Sequence, residues 1–147
     1  MTKTPIDYSN AVIYKICCND SDVTDCYVGS TTNFRIRKHR HKFNCCIEMT
    51  REYNIKIYQF IRANGGWDNW SIILIETYPT TTSLELIKRE RYWYDEIKPT
   101  LNTKAPYCSL DEKKENKKNY KQKDKERSNL LQRIRRQKYK LEKQNNL

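Results

Sequence analysis

The chain has 147 residues, a length that suits one domain of about 100 residues with an appendage. Its formal net charge is +11, which favours a polyanionic partner. No stretch approaches the roughly 18 consecutive apolar residues that a membrane-spanning helix needs, and no signal peptide is evident. We therefore expect a soluble, intracellular protein with one catalytic or binding module and no membrane contact.

Cysteine usage argues against an extracellular disulfide scaffold. The six cysteines are an even number, but neither a secretory signal nor a CxxC pair accompanies them. Free, buried thiols are the expected state. The alternative is a zinc site, which would require four ligands to converge in tetrahedral geometry. The cysteines are Cys17, Cys18, Cys26, Cys45, Cys46 and Cys108.

Two short strands are predicted near the N-terminus. Residues 11–17 are rich in β-branched and aromatic side chains, and a polar stretch at 19–25 separates them from a second apolar run at 26–29. This pattern predicts an antiparallel hairpin. Tyr14 and Tyr27 lie in these two runs, where packing in a strand would by itself account for a tyrosine.

A basic helix is predicted over residues 33–46. Its apolar positions recur at helical spacing and are expected to form the buried face. They are Ile36, Phe43, Cys46 and Ile47. Arg37 and His41 are four residues apart, so they share a face at the border of that buried side, where they could line a cleft. The alternative is that both are solvated cations of a basic run.

The second half of the domain is predicted to be helix, strand and helix. Apolar residues at spacing i, i+4, i+7 and i+8 mark a helix that ends at the Asn-Gly-Gly sequence of residues 64–66, where a C-cap needs a positive φ. Residues 70–78 form a continuous apolar run that suits a central strand covered on both faces. A third helix is expected over residues 83–97, where Pro99 closes it.

The order β-β-α-α-β-α predicts a mixed α/β (α+β) domain, in which a small three-stranded antiparallel sheet is flanked by helices. The domain is expected to span residues 10–103, after an N-terminal extension of residues 1–9. Residues 104–147 carry 15 Lys/Arg against 6 Asp/Glu and few aliphatic side chains, so they cannot form a compact core. We expect a basic tail that is either helical or disordered, with weak self-association through residues 128–142 left open.

Glu90 is a charge inside the apolar arc of the third helix. On a helical wheel it lies among side chains such as Leu86 and Trp93, whereas the other charged side chains fall on the opposite side. A carboxylate directed at a core is unfavourable unless a cation, a donor or a metal ion meets it. The expected partner is either Arg37, in an ion pair, or Mg²⁺, which commonly takes one or two carboxylates and keeps several waters.

The two tyrosines stand in short motifs, VIY at residues 12–14 and YVG at residues 27–29, and a basic helix follows the second. In this arrangement the sequence resembles the GIY-YIG nuclease superfamily over roughly residues 10–103, as a homing-endonuclease-like catalytic domain. The composition of the tail resembles basic extensions of nuclease-like proteins from large DNA viruses and mobile elements. Such an origin would place the protein in the nucleus or cytoplasm of a host cell.

The resemblance implies an endonuclease that depends on Mg²⁺ (or Mn²⁺) and hydrolyses a phosphodiester bond by a one-metal mechanism. Tyr14 would act as general base on the attacking water, and Tyr27 would help to orient that water or bind the phosphate. Arg37 would contact the scissile phosphate, because a guanidinium binds two phosphate oxygens and keeps its charge. His41 would shuttle the proton, and Glu90 would be the single metal ligand.

Three further residues are expected to support the site. Gly29 would let the end of its strand approach neighbouring groups closely, and Ser30 would cap the turn. The resemblance implies that Asn102 closes the module through hydrogen bonds.

The implied partner is DNA, double-stranded or branched, and cations of the first helix and the tail are expected to contact its phosphates. They are Arg35, Lys38, Arg40, Lys42, Arg133, Arg135 and Arg136. Two positions depart from the family pattern: Val12 replaces the glycine of the first motif, and Thr50 lies near the place of a second histidine that some homing-type members have. A catalytically inactive DNA-binding module with the same fold is therefore the alternative function.

Overall fold

A three-stranded antiparallel sheet lies at the centre of the computed structural model, which describes residues 5–145 and the side chains of residues 5–138. The strands are β1 (Val12–Cys18), β2 (Cys26–Thr31) and β3 (Trp70–Thr77), in the spatial order β2-β1-β3. The first two form the predicted hairpin. The predicted α/β class and the three-stranded sheet are therefore confirmed.

The central strand is β1, so the prediction that the third strand is central was wrong. β1 pairs on one side with β2 and on the other with β3, and its side chains Ile13 and Ile16 are fully buried. β3 lies at an edge, with Ile73 43% and Leu74 48% exposed. A continuous apolar run indicates that a segment forms a strand. Its place in the sheet depends on pairing with segments far away in sequence.

The helices have bounds close to the predicted ones. They are α1 (Phe34–Cys46), α2 (Lys56–Ala63), α3 (Ser83–Ile97) and, in the tail, α4 (Leu110–Asn145). Asn33 begins α1, because its side chain accepts a hydrogen bond from the backbone N–H of Ile36. Gly65 and Gly66 follow α2 with φ of 88° and 74°, as the sequence predicted, and a short 3₁₀ helix, Trp67–Asn69, leads into β3.

Helices cover both faces of the sheet, and β1 supplies side chains to both layers. On one face Tyr14 and Ile16 pack with buried residues of α1 and α2, among them Cys45. On the other face Ile13 packs with Leu86 of α3. This alternation follows from the two-residue period of a strand.

The exposed and buried faces of α1 are the reverse of those predicted. Ile36 is 64% exposed and Phe43 49%, whereas His41 and Asn44 are buried. Hydrogen bonds of the His41 ring to two tyrosine hydroxyl groups turn this side of the helix toward the sheet. Apolar periodicity could not reveal this, because it does not register polar side chains that bond to one another in a core.

The tail forms the long helix α4 and belongs to a second compact unit, residues 108–147, separate from residues 1–107. Its start is a capping box: Ser109 Oγ accepts from the backbone N–H of Glu112, and Glu112 Oε2 accepts from the backbone N–H of Ser109. Leu130, Leu131 and Ile134 are about half exposed. The end of the predicted self-association stripe, and residues 1–4 of the N-terminal extension, lie outside the described residues.

None of the helices in the described part of the chain is long and apolar enough to cross a membrane. All six cysteines are free thiols, as expected, but the expectation that they are buried was wrong except for Cys45: Cys46 is exposed, and the other four are partly exposed.

Asn102 closes the outer edge of β2. Its Oδ1 accepts from the backbone N–H of Val28 at 3.0 Å, and its Nδ2 donates to the Val28 carbonyl at 2.8 Å. The preceding residue, Leu101, donates its backbone N–H to the carbonyl of Cys26. One side chain thus replaces the strand that β2 lacks on this side.

The substitution Asn102→Ala is expected to lower the free energy of unfolding by about 2–4 kcal/mol, because it leaves two backbone polar groups of the fully buried Val28 without partners. Urea unfolding followed by circular dichroism measures this loss. Asn10→Ala, at an exposed position, is the control and should change stability by less than about 0.5 kcal/mol. Equal stabilities of the two variants would contradict the proposed closure.

Candidate active site

Tyr14 and Tyr27 lie side by side on the face of the sheet that α1 covers, with ring centroids 6.3 Å apart. Gly29 pairs with Tyr14 across the hairpin. A Cβ atom at Gly29 would lie 2.7 Å from Tyr14 Oη and 2.8 Å from Tyr27 Cε1, closer than van der Waals contact permits. Glycine is thus needed here for the close approach of both tyrosine rings, as the sequence predicted.

His41 joins this pair from α1. Its Nε2 lies 2.8 Å from Tyr14 Oη, and its Nδ1 lies 2.9 Å from the hydroxyl oxygen of Tyr58 on α2. The side chain of His41 is only 5% exposed. The prediction placed His41 at the border of a buried face, whereas the structure places it inside the core.

Tyr58 is a site residue that the sequence did not indicate. It is 3% exposed and follows Ile57 in α2. In the sequence it is one more aromatic residue of an apolar helix, which is typical of core packing. Its contact with His41 joins residues 17 positions apart. No local signal in the sequence could have revealed this contact.

Burial strongly raises the pKa of the Tyr14 phenol, and the neighbouring Tyr27 adds to this effect, while the positive charge of Arg37 opposes it. Burial likewise raises the pKa of Tyr27 to about 12, with the negative charge of Glu90 adding and Arg37 again opposing. Both phenols are therefore protonated in the resting protein. Arg37 and Glu90 thus lie close enough to both tyrosines to influence their pKa values.

Burial lowers the pKa of His41 from 6.5 to about 4, and the positive charges of Arg37 and Arg40 contribute. His41 is consequently neutral at pH 7. A neutral imidazole has one N–H donor and one free lone pair, so it can accept a proton from one hydroxyl while it donates to the other.

Glu90 reaches the site from α3, on the other side of the sheet. It is partly buried, and the hydroxyl group of Ser30 donates to its Oε2. Burial raises the pKa of the Glu90 carboxyl, while the Ser30 hydrogen bond and the charge of Arg37 oppose the increase. The partner that the Glu90 carboxylate requires is thus the hydroxyl group of Ser30, and Arg37 acts on Glu90 through its charge. Ser30 itself lies within β2, so the prediction that it caps the turn was wrong.

The donor set suits a hard divalent cation that is held mainly by water and phosphate. Among the described residues no group of three or more His, Cys, Asp or Glu side chains converges as a metal site. Glu90 offers one carboxylate, and Ser30 fixes its orientation. Mg²⁺ and Mn²⁺ fit such a sparse site, because Mg²⁺ commonly binds one or two carboxylates together with substrate phosphates and several waters.

A cavity of about 260 Å³ opens beside Tyr27 and His41. Arg37 and Arg40 line it together, and Arg40 Nη2 lies 3.7 Å from Glu52 Oε1. Two guanidinium groups at one opening make it attractive to an anion. Arg37, Tyr27 and His41 line this space, and a guanidinium, a phenol and an imidazole can together bind a phosphate group and transfer a proton.

The cations predicted to contact DNA fall into two groups. Those on α1 are exposed and lie on the helix that carries Arg37, which contains no acidic residue: Arg35, Lys38, Arg40 and Lys42. Those on α4 are also exposed but belong to the other compact unit: Arg133, Arg135 and Arg136.

The depressed pKa of His41 predicts a dependence of stability on pH. Above pH 6.5 the imidazole is neutral in both states. As the pH falls from 6.5 toward 4 the unfolded chain binds a proton that the folded chain does not, so the free energy of unfolding decreases, by on the order of 3 kcal/mol in total.

Urea unfolding at pH 7 and pH 4.5 tests this dependence in the wild type and in His41→Gln. In His41→Gln the free energy of unfolding should decrease much less between pH 7 and pH 4.5, because glutamine does not titrate. His39→Gln, which removes an exposed imidazole from the same helix, is the matched control and should behave as the wild type. A His41→Gln protein with the full wild-type pH dependence would show that the buried imidazole does not titrate as described.

Comparison with known proteins agrees with this geometry. No curated protein and no solved structure matched the chain. A family model, the GIY-YIG catalytic domain, matches residues 10–104, which is more than half of the sequence. The match covers every strand, the first three helices and all the side chains of the site described above. The chain therefore belongs to the GIY-YIG family and contains a catalytic domain with a nuclease-type fold.

Proposed function

We propose that the protein is a metal-dependent DNA endonuclease that hydrolyses one phosphodiester bond with an in-line water. The observation that carries the proposal is the buried contact of 2.8 Å between Tyr14 Oη and His41 Nε2, beside a cavity lined by Arg37. A buried phenol needs a hydrogen-bond partner, and a neutral imidazole is a partner that can also take up the phenol's proton. The pair provides a route for a proton out of a buried site.

Tyr14 is the general base in this proposal, and His41 receives its proton. Because burial keeps the phenol protonated, Tyr14 can accept a proton from water only as its own proton leaves. Neutral His41 can take that proton at Nε2. Tyr27, whose ring lies beside Tyr14, orients the attacking water.

Arg37 binds the scissile phosphate and stabilises the charge that accumulates on it in the transition state. Glu90, oriented by Ser30, would hold Mg²⁺ or Mn²⁺. When bound, the cation would supply positive charge that stabilises the transition state and the leaving group. Two side chains from opposite layers of the fold thus meet the same phosphate.

The proposed substrate is DNA, double-stranded or branched, and the site of action is intracellular. The exposed cations of α1 lie on the same helix as Arg37 and would contact the phosphates that flank the scissile one. The cations of α4 would add affinity that does not depend on sequence. The departure at Val12 is the observation that favours an inactive DNA-binding module as the alternative, although Tyr14 keeps its contact with His41.

Cleavage is expected to require Glu90 and a divalent cation. Glu90→Gln keeps an acceptor for Ser30 but removes the charge, so nicking of supercoiled plasmid should fall by on the order of 100-fold or more, and EDTA should abolish it in the wild type. Glu96→Gln, at an exposed position of the same helix, is the matched control.

Full activity of Glu90→Gln would remove Glu90 from the site. Wild-type protein that binds plasmid and branched DNA but cuts neither in Mg²⁺ or Mn²⁺ would favour the inactive DNA-binding module.

The tail cations are expected to contribute affinity through charge alone. Replacing Arg133, Arg135 and Arg136 together by Gln should reduce the slope of log K against log [salt] by up to about 3, because up to three phosphates lose their contacts. Replacing the same three residues by Lys keeps the charge and should preserve the slope. Fluorescence anisotropy with duplex DNA at several salt concentrations measures both. If the Gln and Lys variants had the same slope, the tail would not bind phosphates.

A further inference from the structure

The imidazole of His41 is held from both sides by hydroxyl groups. Tyr14 Oη lies 2.8 Å from Nε2, and Tyr58 Oη lies 2.9 Å from Nδ1. Both tyrosine rings meet the imidazole ring edge-on, with interplanar angles of 69° and 67°. All three side chains are buried. The ring is therefore fixed in orientation, and its two nitrogen atoms have separate partners.

The position of the single N–H decides whether His41 can receive a proton. If the hydrogen is on Nε2, His41 donates to Tyr14 and has no lone pair for the Tyr14 proton. If the hydrogen is on Nδ1, Nε2 is free to accept, but the Nδ1–H needs an acceptor of its own in the core. The hydroxyl oxygen of Tyr58 is at hydrogen-bond distance from Nδ1 and can be that acceptor.

We propose that Tyr58 is a positioning residue that holds His41 as its Nδ1–H tautomer and so leaves Nε2 free to accept the proton of Tyr14. The inference rests on the proposed function, because a free lone pair on Nε2 matters when Tyr14 must release a proton. In this proposal Tyr58 acts through its contact with His41. Its part corresponds to the third member of a nucleophile–base–orienter set.

A tyrosine suits this part because it is a neutral acceptor. Burial raises the pKa of Tyr58, while the neighbouring side chain of Asn44 opposes the increase. A carboxylate at the same place would favour the imidazolium form and occupy the lone pair that the site needs. The charged and titratable groups that face His41 are Tyr14 and Tyr27 from the sheet, Arg37 and Arg40 from its own helix, and Tyr58 from α2.

Nitrogen-15 NMR of the imidazole ring tests the tautomer directly. The chain has two histidines, so His39→Gln leaves one imidazole signal from an otherwise intact protein. At pH 7 the Nδ1 shift is expected to be that of a protonated nitrogen and the Nε2 shift that of a free lone pair. Adding Tyr58→Phe should abolish the preference for the Nδ1–H tautomer or invert it. An Nε2–H tautomer in the protein that keeps Tyr58 overturns the proposal, whether or not the Phe variant folds.

Single-turnover cleavage at saturating DNA provides the second readout. Tyr58→Phe should reduce the rate by on the order of 10- to 100-fold, less than the full loss of a general base, without weakening DNA affinity. Tyr53→Phe is the matched control: it removes the hydroxyl group of a tyrosine that packs under Arg62 and should leave the rate unchanged. A folded Tyr58→Phe protein that cleaves at the wild-type rate overturns the proposal.

The two readouts separate the tautomer from the nuclease. The wild type could fail to cleave DNA and still show an Nδ1–H tautomer that is lost in Tyr58→Phe. That result supports Tyr58 as the residue that positions His41, and the proposed nuclease function fails. If the wild type cleaves DNA and His41 has its hydrogen on Nε2, the proposed nuclease function is supported and the proposed positioning role of Tyr58 is overturned.

Discussion

The buried hydrogen bond between Tyr14 and His41 is the constraint on which the arrangement of the site depends. Both groups are buried, so separating them would remove a hydrogen bond from two polar groups of the core. The bond therefore fixes how α1 is turned about its axis. With His41 inward, Arg37 one turn earlier lies at the cavity, and Ile36 points to solvent in spite of its apolar side chain.

β2 joins the two layers that supply the site. Tyr27 faces α1 and α2, whereas Ser30 faces α3 and bonds to Glu90. Since successive residues of a strand point to opposite faces, one short edge strand can present a phenol to the proton route and a hydroxyl to the carboxylate. Such a strand must not shift or fray. Asn102 holds it by pairing with both backbone groups of Val28, in place of a neighbouring strand.

The sequence predicted the parts of this structure that depend on neighbouring residues. The bounds of α3 and the glycines after α2 follow from local periodicity and local breakers. Glu90 was found because a charge within an apolar arc is also a local signal. Contacts between distant segments determine the edge position of β3, the inward face of α1 and the proposed role of Tyr58. A single sequence does not reveal such contacts. Polar pairing inside the core made apolar periodicity misleading for α1.

The two motif positions that hold glycine in the family differ in what the structure demands of them. At Gly29 any Cβ would collide with the rings of Tyr14 and Tyr27, so a larger residue would displace the groups that do the proposed chemistry. Val12 begins β1, pairs with Thr31 and Thr77, and is buried in the sheet like an ordinary strand residue. Two residues later, Tyr14 still reaches His41. The physical requirement of the first motif is thus the tyrosine, and that of the second is the glycine next to it in the sheet.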